Sequence, residues 1–411
     1  MQNCVRRFAT SFTVKPRQCS YSVSPRTWPV WRIETKRNIL ASVFALLAVA
    51  PAMMRGQTPP TPPPAVDGMS CTNVANGGPV VCTAKAWDNS LSYSVYSAGQ
   101  SQPPTWIYLG KIPSSAGQIP IEGSPSCTSP SYASGQVVCG VRGTDNAFYA
   151  VAFNPTSPSS PTWVPLGGIY ISDPSCSADL SDSNVFCAGA GQDSQLYITE
   201  FTVGGKIPGP TGIGGVDVEG TPSCVPNPSA IQTVICTVKG GESGLHTVIF
   251  GPGYWSTKPG GKWQFLGGWV EGSPSCATAQ DGSNQVICGV RGAESALHAV
   301  EFNPASMATG QSTPVWQGFA SPVPVDGNPS CANLNGWPGT SSPVICSIRG
   351  TDSNLYSFAV DPSIGTFGIQ QVIPSTPMQG DPACASPGNG TQQAVCALKT
   401  TGQVNFIVAQ P

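Results

Sequence analysis

Fourteen of the sixteen cysteines recur in pairs at a regular spacing, and this repeat constrains the fold more than any other feature. The two cysteines of a pair are 11 to 15 residues apart, and the first cysteines of successive pairs are 48 to 56 residues apart. A repeat of about 50 residues is typical of a β-propeller or a solenoid. The pairs are Cys71 with Cys82, Cys127 with Cys139, Cys176 with Cys187, Cys224 with Cys236, Cys276 with Cys288, Cys331 with Cys346, and Cys384 with Cys396.

Each repeat contains the same succession of short β-rich segments. A Gly or Asp precedes a Pro-Ser-Cys or Pro-Ala-Cys motif in most repeats, as in GSPSC at 272–276, and a polar loop leads to a second run such as VICGVRG at 286–292. A tight turn and an alternating run such as LHAVEF at 297–302 follow, and several repeats end in a Trp segment such as WQFLGG at 263–268. Such runs are strand signals. Seven units of four strands predict an all-β, seven-bladed β-propeller with about 50 residues per blade; a β-solenoid is the alternative.

The number of fourth strands leaves the closure of the ring open. The first three strands occur seven times, but there are only six candidates for a fourth strand, and the chain ends in VNFIVAQP at 404–411. Either the last blade is short, or each Trp segment belongs to the following blade.

The cysteine spacing predicts one disulfide within each blade. Two residues directly opposite each other in an antiparallel strand pair are close enough for a disulfide. The alternative is a set of bridges between blades. The body of the chain contains no Cys-x-x-Cys motif and no nearby pair of histidines, so the cysteines do not resemble a zinc site.

The N-terminal residues resemble a secretory signal. An apolar run at 39–52 follows Lys36 and Arg37 and ends in the small-x-small pattern Ala50-Pro51-Ala52. We therefore divide the chain into an N-terminal extension (1–38), a signal core and cleavage region (39–56), a Pro-rich linker (57–66) and the propeller (67–411). The alternative is a retained signal anchor. Cleavage predicts a secreted, extracellular or periplasmic protein without stable membrane insertion, in a compartment where disulfides form.

The charge distribution excludes nucleic acid as a partner. Charged residues are only 10% of the chain, and 20 of the 21 acidic residues but only 10 of the 19 basic residues follow Arg55. The mature body is therefore acidic, whereas binding to nucleic acid depends on basic groups that neutralise phosphates.

Aligning the repeats on the second cysteine reveals three columns of chemically similar residues. Three positions after that cysteine, six repeats have a basic residue. Six positions after it, six repeats have an acid. Ten positions after it, five repeats have a Tyr or a His. The basic column is Lys85, Arg142, Ala190, Lys239, Arg291, Arg349 and Lys399; the acidic column is Asp88, Asp145, Asp193, Glu242, Glu294, Asp352 and Gly402; the ring column is Ser92, Tyr149, Tyr197, His246, His298, Tyr356 and Phe406.

These columns favour a non-enzymatic protein, although they do not decide the point. Nucleophilic catalysis needs one particular His beside one nucleophile, yet both histidines of the chain occupy the same repeated position. We predict no catalytic residue, no cofactor and no metal site.

Each column also has a purely structural explanation. The basic residue can pair with the turn acid three positions on, the Trp of the last segment can pack between blades, and the Tyr or His can be half-buried packing. The functional explanation is a saccharide site, because aromatic faces and a few directional polar groups suit neutral sugars. A ring of weak sites would bind with avidity.

The repeat as a whole resembles that of the PLL-type bacterial seven-bladed propeller lectins. The resemblance is carried by VICGVRGAESALHAVEF at 286–302 with WQFLGG at 263–268, and by VVCGVRGTDNAFYAVAF at 137–153 with WVPLGG at 163–168. It covers about residues 67–411 and implies non-catalytic binding of fucose and related saccharides between blades. A disulfide in every blade departs from that pattern, and Ala190 and Gly402 interrupt it.

From the columns and the resemblance together we predict a secreted carbohydrate-binding propeller with saccharides or glycoconjugates as partners and fucose as the candidate ligand. The alternatives are a structural or protein-adhesion propeller and a propeller hydrolase or lyase that acts on polysaccharide. The candidate ligand-binding residues are Arg142, Tyr149, Trp163, Lys239, His246, Trp263, Arg291, His298, Trp316, Arg349 and Tyr356.

Overall fold

The computed structural model places most of the chain from Ala65 to Ala409. The predicted signal, the first two cysteines and most of the predicted linker lie outside the described residues. The structure describes residues 65–74, 78–97, 105–130, 135–157, 161–180, 184–205, 207–251, 262–279, 282–319, 323–334, 343–361, 365–366, 370–372, 377–387, 393–401 and 403–409.

Seven antiparallel sheets follow one another along the chain, and each contains one cysteine pair, which confirms the predicted seven-bladed β-propeller. Within a sheet the strands lie side by side in chain order. The strands of blades 1 to 3 are Ala65–Asn73, Val80–Ala86, Leu91–Tyr96 and Trp106–Gly110; Ile121–Thr128, Val137–Gly143, Phe148–Phe153 and Thr162–Gly167; and Ser175–Ala178, Asn184–Ala190, Leu196–Thr202 and Thr211–Ile213. Those of blades 4 and 5 are Val218–Pro226, Val234–Gly240, Leu245–Phe250 and Gln264–Gly267; and Val270–Thr278, Val286–Gly292, Leu297–Phe302 and Val315–Phe319.

The last two blades depart from the four-strand plan. Blade 6 contains Val325–Asn333, Val344–Gly350, Leu355–Asp361 and two short pieces, Gly365–Thr366 and Gln370–Val372, and the strands described for blade 7 are Ala383–Ala385, Ala394–Thr400 and Gln403–Ala409. Each Trp segment pairs with the third strand of its own blade, as Trp106 does with Ser94. The alternative in which each Trp segment belongs to the following blade is therefore wrong. A hairpin (Ile112–Ser114 and Gly117–Ile119) joins blades 1 and 2, and a short helix (Pro304–Ala308) lies within blade 5.

The first strands of the blades form the inner ring. Each first strand contacts the first strands of the two neighbouring blades, and that of blade 7 contacts that of blade 1. Each second strand is covered on both faces by the adjacent blades. This position explains its nearly continuous apolar sequence, in which Val286–Gly292 is buried throughout except at the half-buried Arg291.

Seven apolar clusters form the core, one at each junction between neighbouring blades. The cluster between blades 3 and 4, for example, combines Leu196 and Ile198 from one blade with Val238, Val248 and Phe250 from the other. No blade buries both of its faces by itself, so the stability of each blade depends on its two neighbours.

Each disulfide joins the first two strands of one blade, which confirms the predicted pairing and shows that the alternative of bridges between blades is wrong. The two cysteines are directly opposite in register in every blade, and their Cα atoms are 4.0–4.1 Å apart. The bonds join Cys71 to Cys82, Cys127 to Cys139, Cys176 to Cys187, Cys224 to Cys236, Cys276 to Cys288, Cys331 to Cys346, and Cys384 to Cys396.

The second cysteine of each bridge lies on the covered second strand and is completely buried. This set consists of Cys82, Cys139, Cys187, Cys236, Cys288, Cys346 and Cys396. The bridges therefore lie inside the blade junctions, where solvent reductants have little access. Their role is structural, and these cysteines are not ligand-binding residues.

Every disulfide packs against the preceding blade at a position held by a small residue. A Cβ atom on Gly140 would lie 2.3 Å from Cys176 Sγ of the next blade, and a Cβ atom on Gly289 would lie 2.9 Å from Cys331 Sγ. The hydroxyl oxygen of Thr83 lies 2.9 Å from Cys127 Sγ. This small column directly follows the second cysteine and consists of Thr83, Gly140, Ala188, Thr237, Gly289, Ser347 and Ala397.

In blades 1 to 6 a serine before the first cysteine links successive inner strands. The Cys276 amide donates to Ser223 Oγ of the preceding blade at 2.8 Å. The same bond occurs at each of the six junctions from blades 1–2 to 6–7, with serines 70, 126, 175, 223, 275 and 330 as acceptors. At the junction of blade 7 with blade 1 the corresponding residue is Ala383, which has no hydroxyl.

The turns between the second and third strands also connect one blade to the next. In blades 1 to 6 this turn has a non-glycine residue in the left-handed region, such as Ser243 with φ 64°. Its carbonyl accepts a hydrogen bond from the first amide of the following blade, as Ser243 does from Val270 at 2.8 Å. Asn and Ser tolerate this conformation better than bulky residues do. The turn that carries the acidic column is thereby fixed to the neighbouring blade.

We expect a larger side chain in the small column to destabilise the protein even when all disulfides are intact. Gly289→Val places methyl groups against the Cys331–Cys346 bridge, and overpacking of this kind costs about 1–3 kcal/mol. Gly214→Val is the matched control, because a Cβ atom there would meet only the Gln195 side chain, at 3.6 Å. Urea unfolding without reductant should show a clearly lower midpoint for Gly289→Val alone. Equal midpoints for the two variants would contradict this account of the junctions.

Candidate functional site

The turn acid and the ring residue form a side-chain pair in five blades. Tyr149 Oη donates to Asp145 Oδ2 at 2.6 Å, and a backbone amide two residues after the acid binds its other oxygen. The corresponding pairs are Tyr197–Asp193 at 2.9 Å, Tyr356–Asp352 at 2.7 Å, His246–Glu242 and His298–Glu294. The acids stay largely exposed, with 56% of the Glu242 side chain and 59% of the Glu294 side chain open to solvent.

The basic residue pairs with a different acid from the one that the sequence suggested. Arg142 Nη1 lies 3.3 Å from Glu122 on the first strand of its own blade, and Nη2 lies 3.5 Å from Asp173 of blade 3. The same first-strand pairing joins Lys239 to Glu219 at 2.8 Å. It also joins Arg291 to Glu271 at 3.6 Å and Arg349 to Asp326 at 2.7 Å. The structural explanation based on the turn acid is therefore wrong, because that acid is occupied by the ring residue.

The first-strand acids are site residues that the sequence analysis missed, although the sequence carries a signal for them. An acid stands five positions before the first cysteine in the four blades that have these ion pairs, at Glu122, Glu219, Glu271 and Asp326. In blade 3 Ala190 replaces the base, and Ile171 stands at the position of the acid. Blade 3 therefore lacks both charges of the ion pair.

The basic residue and the ring residue of one blade lie on opposite faces of its sheet. In blade 4 Lys239 is opposite Leu245, which packs against blade 5, whereas His246 is opposite Val238, which packs against blade 3. Opposed residues on neighbouring strands share a face. The three columns therefore do not converge within a blade. A junction instead combines the base of one blade with the ring and Trp residues of the next, such as Lys239 with His298 and Trp316.

The Trp residues lie on the same face as the ring residues, toward the preceding blade. Trp263 Nε1 donates to the Gly214 carbonyl of blade 3 at 2.8 Å, and Trp316 Nε1 donates to the Leu266 carbonyl of blade 4 at 2.7 Å. Trp163 packs against the cluster between blades 1 and 2. All three rings are half-buried. The indole N–H groups of Trp263 and Trp316 thus bind within the protein, and only part of each ring can contact a ligand.

The turn acid and burial raise the pKa of the three tyrosines in the ring column. Burial and the hydrogen bond and charge of Asp145 raise the pKa of Tyr149 to about 12. Hydrogen bonds from His246 lower the pKa of Glu242, and the turn amides and His298 lower that of Glu294. The lowered pKa favours the ionised form of Glu242 and Glu294 beside their rings.

Two kinds of feature are absent from the part of the chain that the structure describes. These residues hold no group of three or more His, Cys, Asp and Glu side chains that could bind a metal ion. Among the same residues, no helix is long and apolar enough to cross a membrane.

Comparison with known proteins bears on the fold only. No family model and no curated protein matches the sequence. Among solved structures, the BP39L lectin from Burkholderia pseudomallei aligns with a TM-score of 0.63 and 14% identity, over 84% of this chain and 96% of that chain. A chain of the mitotic checkpoint complex aligns with a TM-score of 0.50 and 13% identity, over 92% of this chain and 99% of that chain.

A third structure is the Aleuria aurantia lectin in complex with Fucα1-6GlcNAc, with a TM-score of 0.45 and 11% identity, over 76% of this chain and 98% of that chain. Its similarity is too low to support an argument. The two higher-scoring structures belong to proteins with unrelated roles, one a lectin and one part of a checkpoint complex, so the shared propeller does not determine the ligand.

We expect Asp145→Asn to lower the pKa of Tyr149 from about 12 toward 10, because two of its three causes come from the carboxylate. Burial remains, so the pKa should stay above the ordinary value. Asn retains an oxygen for the turn amide, which preserves the turn. The measurement is a pH titration of tyrosinate absorbance, and subtraction of a Tyr149→Phe titration isolates the relevant transition. An unchanged transition would show that Asp145 does not hold Tyr149.

Proposed function

We propose that this protein is a secreted, non-enzymatic propeller that binds saccharides at the blade junctions. The observation that supports this most directly is the repeated pairing of an exposed carboxyl group with a Tyr or His ring. Glu294 with His298 and Asp145 with Tyr149 are examples. Carboxylates accept strong hydrogen bonds from hydroxyl groups, and an adjacent ring offers a face for the apolar side of a sugar.

The half-buried basic residues fit the same role. The acid on the first strand orients Lys239 within the junction between blades 4 and 5, whose other wall carries His298 and Trp316. A cation held in this way keeps donor groups available for a sugar oxygen while its charge is balanced. The equivalent walls of other junctions repeat the arrangement with Arg142, Arg291 and Arg349. Fucose is the first saccharide to test, because the resemblance of the repeat implies it.

Sugar binding at one junction should depend on the turn acid. Glu294→Gln removes the charge and keeps the shape, and the lost charge-assisted bond should weaken that site about tenfold. A glycan array would identify the saccharide. Calorimetry would then show that the variant binds about one fewer equivalent of this saccharide with high affinity. Glu301→Gln, in the same blade but outside the three columns, should bind like the parent. Failure of the parent protein to bind any saccharide would refute the proposed function.

One observation favours hydrolysis of polysaccharide as a second candidate function. Glu200 and Asp179 of blade 3 form an acid pair, and no other described blade has an acid at both positions. Burial and the charge of Asp179 raise the pKa of Glu200. Asp179 is only 6% exposed, and Asn227 and Ala279 occupy its position in blades 4 and 5. Two neighbouring carboxyl groups are the usual machinery of glycoside cleavage. Release of sugars by the parent but not by Glu200→Gln would support this candidate over the lectin.

Secretion follows from the predicted signal at 39–56 and is compatible with seven disulfides. We expect the exported protein to begin shortly after Ala52 and to contain no free thiol, because Cys4 and Cys19 are removed with the signal. N-terminal sequencing and a thiol assay under denaturing conditions would test both points. Recovery of Cys4 in the exported protein would contradict cleavage and favour a retained anchor.

A further inference from the structure

The junction between blades 3 and 4 has a turn acid but lacks the basic residue of the preceding blade. At the other junctions that contain a turn acid, the basic column of the preceding blade supplies a Lys or Arg. In blade 3 this position is Ala190, which lies in the apolar cluster shared with Val238 of blade 4. The turn acid of blade 4 is Glu242, and the described residues contain no ion pair between Glu242 and a Lys or Arg. The cation that the other junctions contain is therefore missing from this one.

The linker that crosses this junction adds a second carboxyl group. Asp217 is the last residue before the first strand of blade 4; its side chain is exposed, and its carbonyl accepts from the Gly241 amide at 2.9 Å. Lys239 does not balance these acids, because it pairs with Glu219 on the face toward blade 5. This surface therefore attracts cations. The same linker position is uncharged in other blades, where it holds Pro120, Ile169, Trp269 and Pro324.

An exposed aromatic ring borders the same surface. Phe265 is 59% exposed, and its ring centroid lies 5.0 Å from that of His246. A Cβ atom on Gly244 would lie 2.5 Å from the Phe265 ring and 3.4 Å from Glu242 Oε1, so the ring and the carboxyl group are neighbours. Blade 5 has Gly318 at the position of Phe265. A ring next to a carboxyl group suits an ammonium ion, which binds over ring faces and donates to carboxylates.

We infer that the junction between blades 3 and 4 binds an amino sugar, whose ammonium group contacts the Glu242 carboxylate and the Phe265 ring. This inference rests on the proposed saccharide function and names the ligand class of one of its sites. The ligand supplies the positive charge that a Lys or Arg supplies at the other junctions. A base in place of Ala190 would repel the ammonium group. Junctions that have their base should therefore prefer uncharged sugars.

The test compares short oligomers of glucosamine and of N-acetylglucosamine by calorimetry, because the two differ in the charge of the amino group. We expect the glucosamine oligomer to bind at one high-affinity equivalent, about tenfold more tightly than the acetylated oligomer. Added NaCl should reduce this preference, since salt screens exposed charges. Equal or weaker binding of the glucosamine oligomer would overturn the inference. Binding of N-acetyl-lysine amide without binding of the glucosamine oligomer would also overturn it.

Substitutions at the two contact residues locate the site. Glu242→Gln removes the charge and keeps the shape, so it should weaken glucosamine-oligomer binding about tenfold and remove its dependence on salt. Phe265→Leu removes the aromatic face at an exposed position and should weaken the same binding about threefold. Glu294→Gln is the matched control at the junction that contains Lys239, and it should leave this binding unchanged. Equal effects of the two Glu→Gln changes would overturn the inference.

Two substitutions of Ala190 separate charge from bulk. Ala190→Lys restores the missing base and should weaken glucosamine-oligomer binding about tenfold, whereas Ala190→Met adds a side chain of similar length without charge and should weaken it much less. Thermal unfolding verifies that each variant is folded. Undiminished binding by folded Ala190→Lys would overturn the inference. Because Ala190 is completely buried and either variant can fail to fold, the substitutions at Glu242 and Phe265 provide the decision in that case.

Failure of this inference and failure of the proposed function would be distinguishable. A protein that binds fucose or another uncharged saccharide, but does not prefer the glucosamine oligomer, would refute the amino-sugar site alone. A protein that binds no saccharide on the glycan array, glucosamine oligomers included, would refute both.

Discussion

The contact between each disulfide and the small residue of the preceding blade is the constraint on which the rest of the structure depends. A propeller places flat sheets face to face, so the distance between blades is determined by what lies at the centre of each junction. Here that centre holds a completely buried sulfur, such as that of Cys187 or Cys346, facing Gly, Ala, Ser or Thr. Sulfur and a small side chain together fill the gap that apolar side chains fill elsewhere. The bridge thus has a packing role in addition to its restriction of the unfolded chain.

The ring closes by different interactions from those that join successive blades. From blade 1 to blade 7 each junction has a serine that accepts from the next cysteine amide, and this succession ends at Ala383. The closing junction instead relies on an apolar cluster that includes Val80 and Val395, and on the stacked rings of Tyr96 and Phe406 at 5.8 Å. Apolar contacts are less demanding in orientation than hydrogen bonds.

The sequence predicts the fold well because one covalent requirement repeats in phase. The period of the cysteines determines the number of blades, and their separation determines that they face each other across the first two strands. The site was less predictable, since a column in an alignment does not state which way a side chain points. Arg142 and Tyr149 belong to the same repeat but face different neighbours, because they are opposite Phe148 and Val141 respectively. Alternation along the strands could have revealed this, but the partners Glu122 and Asp173 lie on other strands and required the structure.

Blade 3 shows that departures from the repeat are coordinated. At the position of the ion pair in other blades, Ala190 replaces the base and Ile171 replaces the acid. Ser172 then supplies a hydroxyl that binds the Ala190 amide at 2.9 Å. At its junction with blade 2, Gly189 is smaller and Tyr170 is larger than the residues at their positions in blades 4 and 5. Blade 3 keeps its core closed because the stacked rings of Tyr170 and Phe148 fill the space that Gly189 leaves, so its departures from the common motif compensate one another.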